Sequence, residues 1–330
     1  MTESPRTRPD VTGPEIMISV VAPLHNEEEN LDELHRRLRE TLDALGLGFE
    51  LLLVNDGSVD GTARRLDALA ESDPSVLPLH LSRNFGHQAA VSAGLARAVG
   101  RVVVVMDGDL QDPPEVLPLF LERWREGYDV VYAIRTARKE SLPKRAAYFL
   151  FYRALAAISD LDIPLDSGDF ALMDRKVVDA LNALPEQRRF VRGLRSFVGF
   201  RQTGLAYERS ARGAGRPKYT FAGLVGLAVD GLISFSGYPL RLVTYLGLAT
   251  SAVAAALLVW VLVDALYNHT APRGWASTVL VVLFMGSVQL IGMGIIGEYI
   301  RLIFLEVKRR PSYIVDEGRV SSTSREARRP

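Results

Sequence analysis

Val102-Val-Val-Val-Met-Asp-Gly-Asp-Leu-Gln-Asp-Pro-Pro114 decides how this chain folds. Four consecutive valines form a short β-branched run of the kind buried on both faces of a parallel sheet. The run ends in Asp107, Asp109 and Asp112 and then in two prolines, which cannot continue a ladder. An apolar strand that delivers carboxylates at its carboxyl end belongs to an α/β sheet, where ligands bind beyond the strand ends.

With 102–106 read as a strand, residues 16–22, 49–55, 76–81 and 129–134 read as further strands, and residues 62–71, 88–99 and 115–126 as helices between them. Leu31, Leu34, Leu38, Leu42 and Leu45 recur at helical spacing, with Asn30 as N-cap and Glu33 in the capping-box position. This alternation predicts an α/β domain with a mainly parallel sheet. Polar clusters follow the strands: Pro23-Leu-His-Asn-Glu-Glu28, Asp56-Gly-Ser58 and Asp107-Gly-Asp109.

Asp107 and Asp109 are placed to hold a hard divalent cation, because Mg²⁺ favours one or two carboxylates completed by phosphate oxygens and water. Such an ion suits a diphosphate leaving group. Gln111 and Asp112 are its supporting residues, and an acidic loop in water is the competing reading. Asp56 can accept hydrogen bonds from a base or ribose, or simply form the turn before Gly57. His25, His35, His80, His87 and His269 are too scattered to make a metal cluster. His87 reads either as a loop residue at a helix start or, by its neighbours Arg83 and Asn84, as a residue near the donor.

The 330 residues carry 39 Lys+Arg against 39 Asp+Glu, so no global positive charge points to nucleic acid. With no cysteine, disulfides, thiolate metal sites and a cysteine nucleophile are excluded. Mean hydropathy is +0.10, and the apolar residues concentrate near the C-terminus. Residues 242–263 and 274–297 contain no charge, and each run exceeds the ~18 residues that mark a membrane-span candidate. Trp260, Tyr267 and Trp275 lie on the linker side of both runs, like an aromatic belt. Arg241, Arg301, Lys308, Arg309 and Arg310 lie at the opposite ends, which the positive-inside rule assigns to the cytoplasm together with both termini. No signal peptide is read in the polar residues 1–15. Ser251, Ala252, Ala255 and Ala256 offer a small-residue face to the other span or to a second copy in a homo-oligomer.

Residues 184–218 hold Arg188, Arg189, Arg192, Arg195, Arg201, Arg209, Arg212, Arg216 and Lys218 against Glu186 and Glu208. This excess suits anionic lipid or an acceptor phosphate; a solvated arginine surface is the alternative. Residues 144–159 and 219–235 read as helices lying in the membrane interface, with a buried core helix equally compatible with 144–159.

Six ordered blocks, SVVAPLHNEEENL, LLLVNDGSVDGT, LSRNFGHQAAVSAGL, VVVMDGDLQDPPE, DSGDFALMDRKVVDAL and RFVRGL, resemble the family 2 glycosyltransferases of GT-A fold. Within these the chain is similar to the polyprenyl-phosphate glycosyltransferases, the bactoprenol glucosyltransferases and dolichyl-phosphate mannose synthases, and the likeness includes the paired spans and the closing Arg310-Pro-Ser-Tyr-Ile-Val315. The likeness runs from about Ile16 to Val315, and with the composition it divides the chain into a loose leader at 1–15, a cytoplasmic GT-A domain with a Rossmann-like sheet at 16–218, an interfacial helix at 219–239, two transmembrane helices at 240–305 and a cytoplasmic tail at 306–330.

It also implies residue roles. Pro23, His25 and Glu27 match the first nucleotide-binding loop, and Val54 and Asp56 the segment that holds base and ribose. Asp107, Gly108, Asp109 and Leu110 match the DxD segment, with Asp107, Asp109 and Gln111 around Mg²⁺ or Mn²⁺. Arg135 matches an arginine that meets phosphate and positions the acceptor. Arg212 and Lys218 match a basic pair closing over the donor diphosphate. Asp169 matches the family's candidate base. A phosphate monoester has its second pKa near ~6 and is ionised without one, so Asp169 alternatively orients the sugar or acceptor. The chain departs from the family at Gly215-Arg-Pro-Lys218, where Gly-Glu-Ser-Lys is common, and at Ala171, where arginine is.

The implied reaction is inverting transfer from a nucleotide-sugar, with UDP-glucose favoured, to polyprenyl phosphate in a membrane, giving a lipid-linked monosaccharide for the cell envelope. GDP-mannose and modified UDP-sugars stay open as donors. A hydroxyl-acceptor polysaccharide synthase is a second reading, but Gln187-Arg-Arg-Phe190 lacks the Gln-x-x-Arg-Trp block of processive members. A membrane-anchored, non-catalytic nucleotide-sugar-binding scaffold is a third.

Overall fold

The computed structural model describes residues 17–135, 167–187, 189–207 and 274–318, with scattered positions between 243 and 267. The leader 1–15, residues 144–159, the interfacial segment 219–239, and Arg212 and Lys218 lie outside the described residues. Two units emerge, one holding the sheet together with residues 310–318, the other the long C-terminal helix.

In chain order the first unit comprises β1 (Ile18–Leu24), α1 (Leu31–Leu45), β2 (Phe49–Asn55), α2 (Thr62–Ser72), β3 (Val76–His80), α3 (His87–Arg97), β4 (Val102–Val105), a 3₁₀ turn (Pro114–Val116), α4 (Leu117–Arg125), β5 (Val130–Arg135), β6 (Ser167–Asp174), α5 (Arg175–Ala183), α6 (Val191–Phe197) and β7 (Gln202–Tyr207). The strands form one sheet in the order β3-β2-β1-β4-β6-β5-β7. β6 alone runs antiparallel to its neighbours, β4 and β5. The mainly parallel α/β sheet expected from the alternation is therefore present.

Side-chain alternation explains why both faces are covered. Ile18, Val20, Ala22 and Leu24 of β1 pack with Leu31, Leu34, Leu38 and Leu42 of α1 and with Phe120 and Trp124 of α4. Val21 points the other way, into a second cluster with Val91 and Leu95 of α3 and Val177, Val178 and Leu181 of α5. The four valines split likewise: Val102 and Val104 face the first cluster, Val103 and Val105 the second. Each fully buried leucine of α1 contributes about 1.5–3 kcal/mol over exposure.

Several local expectations are corrected. The first strand reaches Leu24, absorbing Pro23 and Leu24 from the expected loop. β3 and β4 each stop one residue early, Leu81 making only an isolated bridge. The 115–126 helix is a 3₁₀ turn followed by α4. The capping box at Asn30 does not form. Asn30 is itself helical and gives its Nδ2 to Glu27 Oε2 (2.7 Å), while Glu33 is taken by Arg36. β6, α5, α6 and β7 were not anticipated.

In the second unit α7 (Trp275–Lys308) contains the one helix among the described residues, Phe284–Lys308, long and apolar enough to cross a membrane (hydropathy 1.6). It continues past the uncharged run, and Glu298 and Arg301 pair one turn apart on it. The described positions between 243 and 267, within and just beyond the other uncharged run, are all helical.

Candidate active site

The antiparallel register of β6 builds the centre of the site. Val102 pairs with Asp174 and Val105 with Ala171. Asp107 lies two residues past the end of β4, and Asp169 two residues before Ala171, in the stretch of β6 where its register with β5 shifts. One carboxylate leaves the carboxyl end of a parallel strand and the other enters at the start of the strand that runs against it. Both therefore stand at the same edge of the sheet, which sequence separation alone could not show.

Between them lies His87, the first residue of α3. Its Nε2 is 3.2 Å from Asp169 Oδ2 and 3.7 Å from Asp107 Oδ1. Gln88 donates from Nε2 to the same Asp169 oxygen (3.3 Å) and accepts the Val191 N–H on Oε1 (2.8 Å), tying α3 to the start of α6. From the second residue of α6, Arg192 Nε reaches Asp169 Oδ1 (3.4 Å). Burial by itself would raise the Asp169 carboxyl, but the His87 hydrogen bond and the charges of Arg192, His87 and Arg195 hold it well below the usual carboxylate range. Burial pulls His87 down, but its bond to Asp169 and the Asp107 and Asp169 charges leave it raised. Asp107 is pushed up to about 6 by burial, with His87 opposing and Asp112, Asp169 and Asp109 reinforcing the rise.

The turn after β4 is tightly determined. Leu110 has φ +59°, a left-handed conformation that costs a non-glycine residue about 1–2 kcal/mol. Beside it the Gln111 N–H donates to Asp109 Oδ1 (3.2 Å). Asp112 is fully buried and accepts the Tyr207 hydroxyl, so it anchors the turn to β7. Gly108 packs so closely that a Cβ would stand 2.3 Å from Leu24 Cδ2 and 3.2 Å from the Pro23 carbonyl oxygen. Gly108→Ala is therefore expected to cost ~1–3 kcal/mol through overpacking, read as a lowered unfolding midpoint.

On the β1–β2 side, Asp56 is buried and accepts two backbone amides, Phe85 N–H on Oδ1 (2.7 Å) and Gly86 N–H on Oδ2 (2.9 Å). His25 Nδ1 lies 2.9 Å from the Asp56 carbonyl oxygen, and the Asn84 amide is 3.1 Å from the same ring. Gly57, at φ +60°, lies under this loop: a Cβ there would strike Arg83 C and Asn84 N at 2.3 Å.

Thus Asp107 and Asp169 come together through His87, His25 and Asp56 form a second group, and Gly108 abuts Pro23. Glu27 is held by Asn30 Nδ2 and by its own N–H to Thr62 Oγ1 (3.0 Å). The Val54 side chain lies in the second core cluster, not at the surface of the site. Arg135 ends β5 opposite Tyr207. Gln88 and the role of Arg192 were missed, and His87 is no mere loop residue. Their partner Asp169 lies 82 positions from His87, 81 from Gln88 and 23 from Arg192, so no local pattern could have revealed them.

The arginine-rich stretch is also redistributed. Arg195 is 2% exposed, stacked over Tyr132 at 5.3 Å, with its pKa pulled down to about 10 by burial. Arg201 sits over Tyr128 at 4.4 Å and Arg192 is on Asp169. These three serve the fold and the site, so the stretch is not one uniform surface for lipid.

Comparison with known proteins agrees with this geometry. The Glycosyl transferase family 2 profile matches residues 19–181. YkcC of Bacillus subtilis (strain 168), described as an uncharacterized glycosyltransferase, is 44% identical over 92% of this chain and 94% of its own. An uncharacterized glycosyltransferase of Synechocystis sp. (strain ATCC 27184 / PCC 6803 / Kazusa) is 42% identical over 92% of this chain and 95% of its own. The SfII prophage-derived bactoprenol glucosyl transferase of Shigella flexneri is 42% identical over 91% of this chain and 98% of its own. With likeness of this extent, and with acidic strand ends gathered at one edge of an α/β sheet, the chain belongs to glycosyl transferase family 2 and is a glycosyltransferase.

Proposed function

We propose that the chain transfers glucose, with inversion, from UDP-glucose to the phosphate of a membrane polyprenyl phosphate. The observation that carries this reading is the convergence of Asp107, from the DxD turn after β4, and Asp169, on β6, about His87, with Arg192 beside Asp169. The name of the Shigella flexneri relative supports the lipid acceptor, and α7 supports a membrane location. We extend the location to two spans, because the described positions from 243 to 267 are helical and the runs flanking the linker carry no charge.

In the transfer, a phosphate oxygen of the acceptor attacks the anomeric carbon as the bond to the donor diphosphate breaks, and the nucleoside diphosphate leaves with the electron pair. Asp56, His25 and the 84–86 loop form the nucleotide side. Arg192 and His87 supply positive charge beside Asp169, where an anionic acceptor approaches, and Arg135 assists from the end of β5. Arg212 and Lys218 close over the diphosphate.

Among the described residues no three His, Asp or Glu side chains converge into a protein-only metal cage. Two neighbouring carboxylates, Asp107 and Asp109, suit Mg²⁺ or Mn²⁺, which take one or two carboxylates and complete their shell with phosphate oxygens and water. The raised Asp107 carboxyl, crowded by Asp112, Asp169 and Asp109, is a place where added positive charge is favourable. Asp107, Asp109 and Gln111 would hold the ion, which when bound neutralises charge developing on the diphosphate.

The test offers UDP-glucose, GDP-mannose and UDP-N-acetylhexosamines to purified protein in nanodiscs containing polyprenyl phosphate and Mg²⁺ or Mn²⁺. Mass spectrometry is expected to find a hexosyl lipid phosphate from UDP-glucose. A product from GDP-mannose alone reassigns the sugar, and no product from any donor refutes the transfer.

A further inference from the structure

The motif Arg310-Pro-Ser-Tyr-Ile-Val315 follows directly on α7, yet residues 310–318 belong to the sheet-bearing unit. Arg309, at φ +48°, ends the helix in a left-handed turn. The chain then runs along the exposed edge of β3. Ser82 N–H donates to the Ile314 carbonyl (2.9 Å), Asp316 N–H donates to the His80 carbonyl (2.8 Å), and Leu81 bridges Val315 antiparallel. The segment alternates as a strand should: Tyr313 and Val315 pack against the second core cluster, while Ile314 is exposed.

What this short strand grips is the start of a loop that leads straight into the site. After Leu81 and Ser82 come Arg83 and Asn84, lying against Gly57, and then Phe85 and Gly86, whose amides occupy the two oxygens of Asp56. The Phe85 side chain packs against the same cluster as Tyr313 and Val315. The loop is therefore held from the inside by Asp56 and Gly57 and from the outside by residues 313–316. An edge strand with open N–H and C=O groups binds whatever extended segment is presented to it, and here the chain supplies its own.

We propose that residues 313–316 are a positioning element for the donor nucleotide. By pairing with β3 they fix the 82–86 loop, and through it Asp56 and the Asn84–His25 contact, in the binding-ready arrangement. The proposal rests on the reading of Asp56 and His25 as the nucleotide side. Its residues touch no donor; they act through the loop.

The experiment uses the full chain in nanodiscs and compares wild type with Tyr313→Ala, Tyr313→Phe, Asp316→Pro, which removes the N–H given to His80, and Asp316→Ala, the control that removes the carboxylate facing Gly318 but keeps that N–H and should behave as wild type. Three readouts are taken: hydrogen exchange at the Phe85 and Gly86 amides, affinity for UDP and GDP with Mn²⁺, and transfer kinetics. Tyr313→Ala and Asp316→Pro are expected to speed exchange at both amides by about tenfold or more. The nucleotide that wild type binds should bind about tenfold more weakly, and donor KM should rise to match while kcat stays within about twofold. Tyr313→Phe should behave as wild type. Unchanged exchange overturns the proposal. So does faster exchange with unchanged nucleotide affinity, or a fall in kcat at constant donor KM, which is damage to the fold. Asp109→Ala separates the two readings: it should abolish transfer while leaving exchange at Phe85 and Gly86 unaltered. Wild type that binds neither nucleotide refutes the donor site itself, and this role with it.

Discussion

Asp107→Asn is expected to lower kcat roughly a hundred- to a thousandfold, the scale of losing one preorganised group that handles charge developing in the transition state. The substitution keeps the size of the side chain and removes its charge. Its second signature is opposite in sign and easier to read. In the unliganded protein burial and the carboxylates of Asp112, Asp169 and Asp109 hold Asp107 up to about 6. A carboxyl whose folded pKa exceeds its unfolded value stabilises the fold only while protonated, and that contribution is lost as pH rises from about 4 through about 6. Without metal, then, Asp107→Asn should unfold at a higher temperature than wild type at pH 7.5, with the gap closing below pH 5. Added Mn²⁺ should reverse the order, stabilising wild type more at pH 7.5 than at pH 5 and leaving the variant nearly unmoved. A variant that keeps near-normal turnover, or that gains as much from Mn²⁺ as wild type, would remove Asp107 from the metal site.

Asp169→Asn has the second-largest expected effect, and its pH profile discriminates between roles. A general base works best with a pKa near the operating pH. The Asp169 carboxyl is held far below that range by His87, Arg192 and Arg195 despite its burial, which makes it a poor proton acceptor and a good electrostatic anchor. The variant should therefore lose about tenfold to a hundredfold in kcat/KM for the lipid phosphate, while the acidic limb of the wild-type profile survives. Stability should fall as well. A depressed folded pKa stabilises the protein above the unfolded value near ~3.9, and that support is lost only as pH drops below it. Removing the charge at neutral pH also leaves Arg192 and the partly buried His87 without their shared counter-charge. Loss of the acidic limb in Asp169→Asn would restore the base assignment.

Much of this was legible in the sequence wherever the signal was local. Phe49–Asn55 is a strand with the bounds read from its pattern, and Leu31, Leu34, Leu38 and Leu42 are all fully buried, as their spacing requires. The acidic turn after Val102–Val105 lies at the strand end where the apolar run stops. What escaped was non-local or competitive. β6 is an antiparallel strand inserted between β4 and β5, and Ser-Gly-Asp-Phe gives no alternation that betrays it. Asn30 has the right residue type and spacing for a cap, but Glu27 and Arg36 offered closer partners to it and to Glu33. Arg195 reads as surface charge in a basic run, whereas its helix turns it under the site toward Tyr132. Gln88 is one polar residue among many until α3 and α6 are brought side by side.

The antiparallel strand also bears on how such an enzyme can change. Val102–Val105 are locked to Asp174–Ala171 by a backbone ladder, which slips by whole residues or stays in place, and the two carboxylates follow directly on its end. That pairing is made by residues of β4 and β6 themselves. By the same logic, deleting one residue inside Ser167–Asp174 would turn every side chain on one side of the deletion to the opposite face of the sheet, a change that no compensating loop could repair.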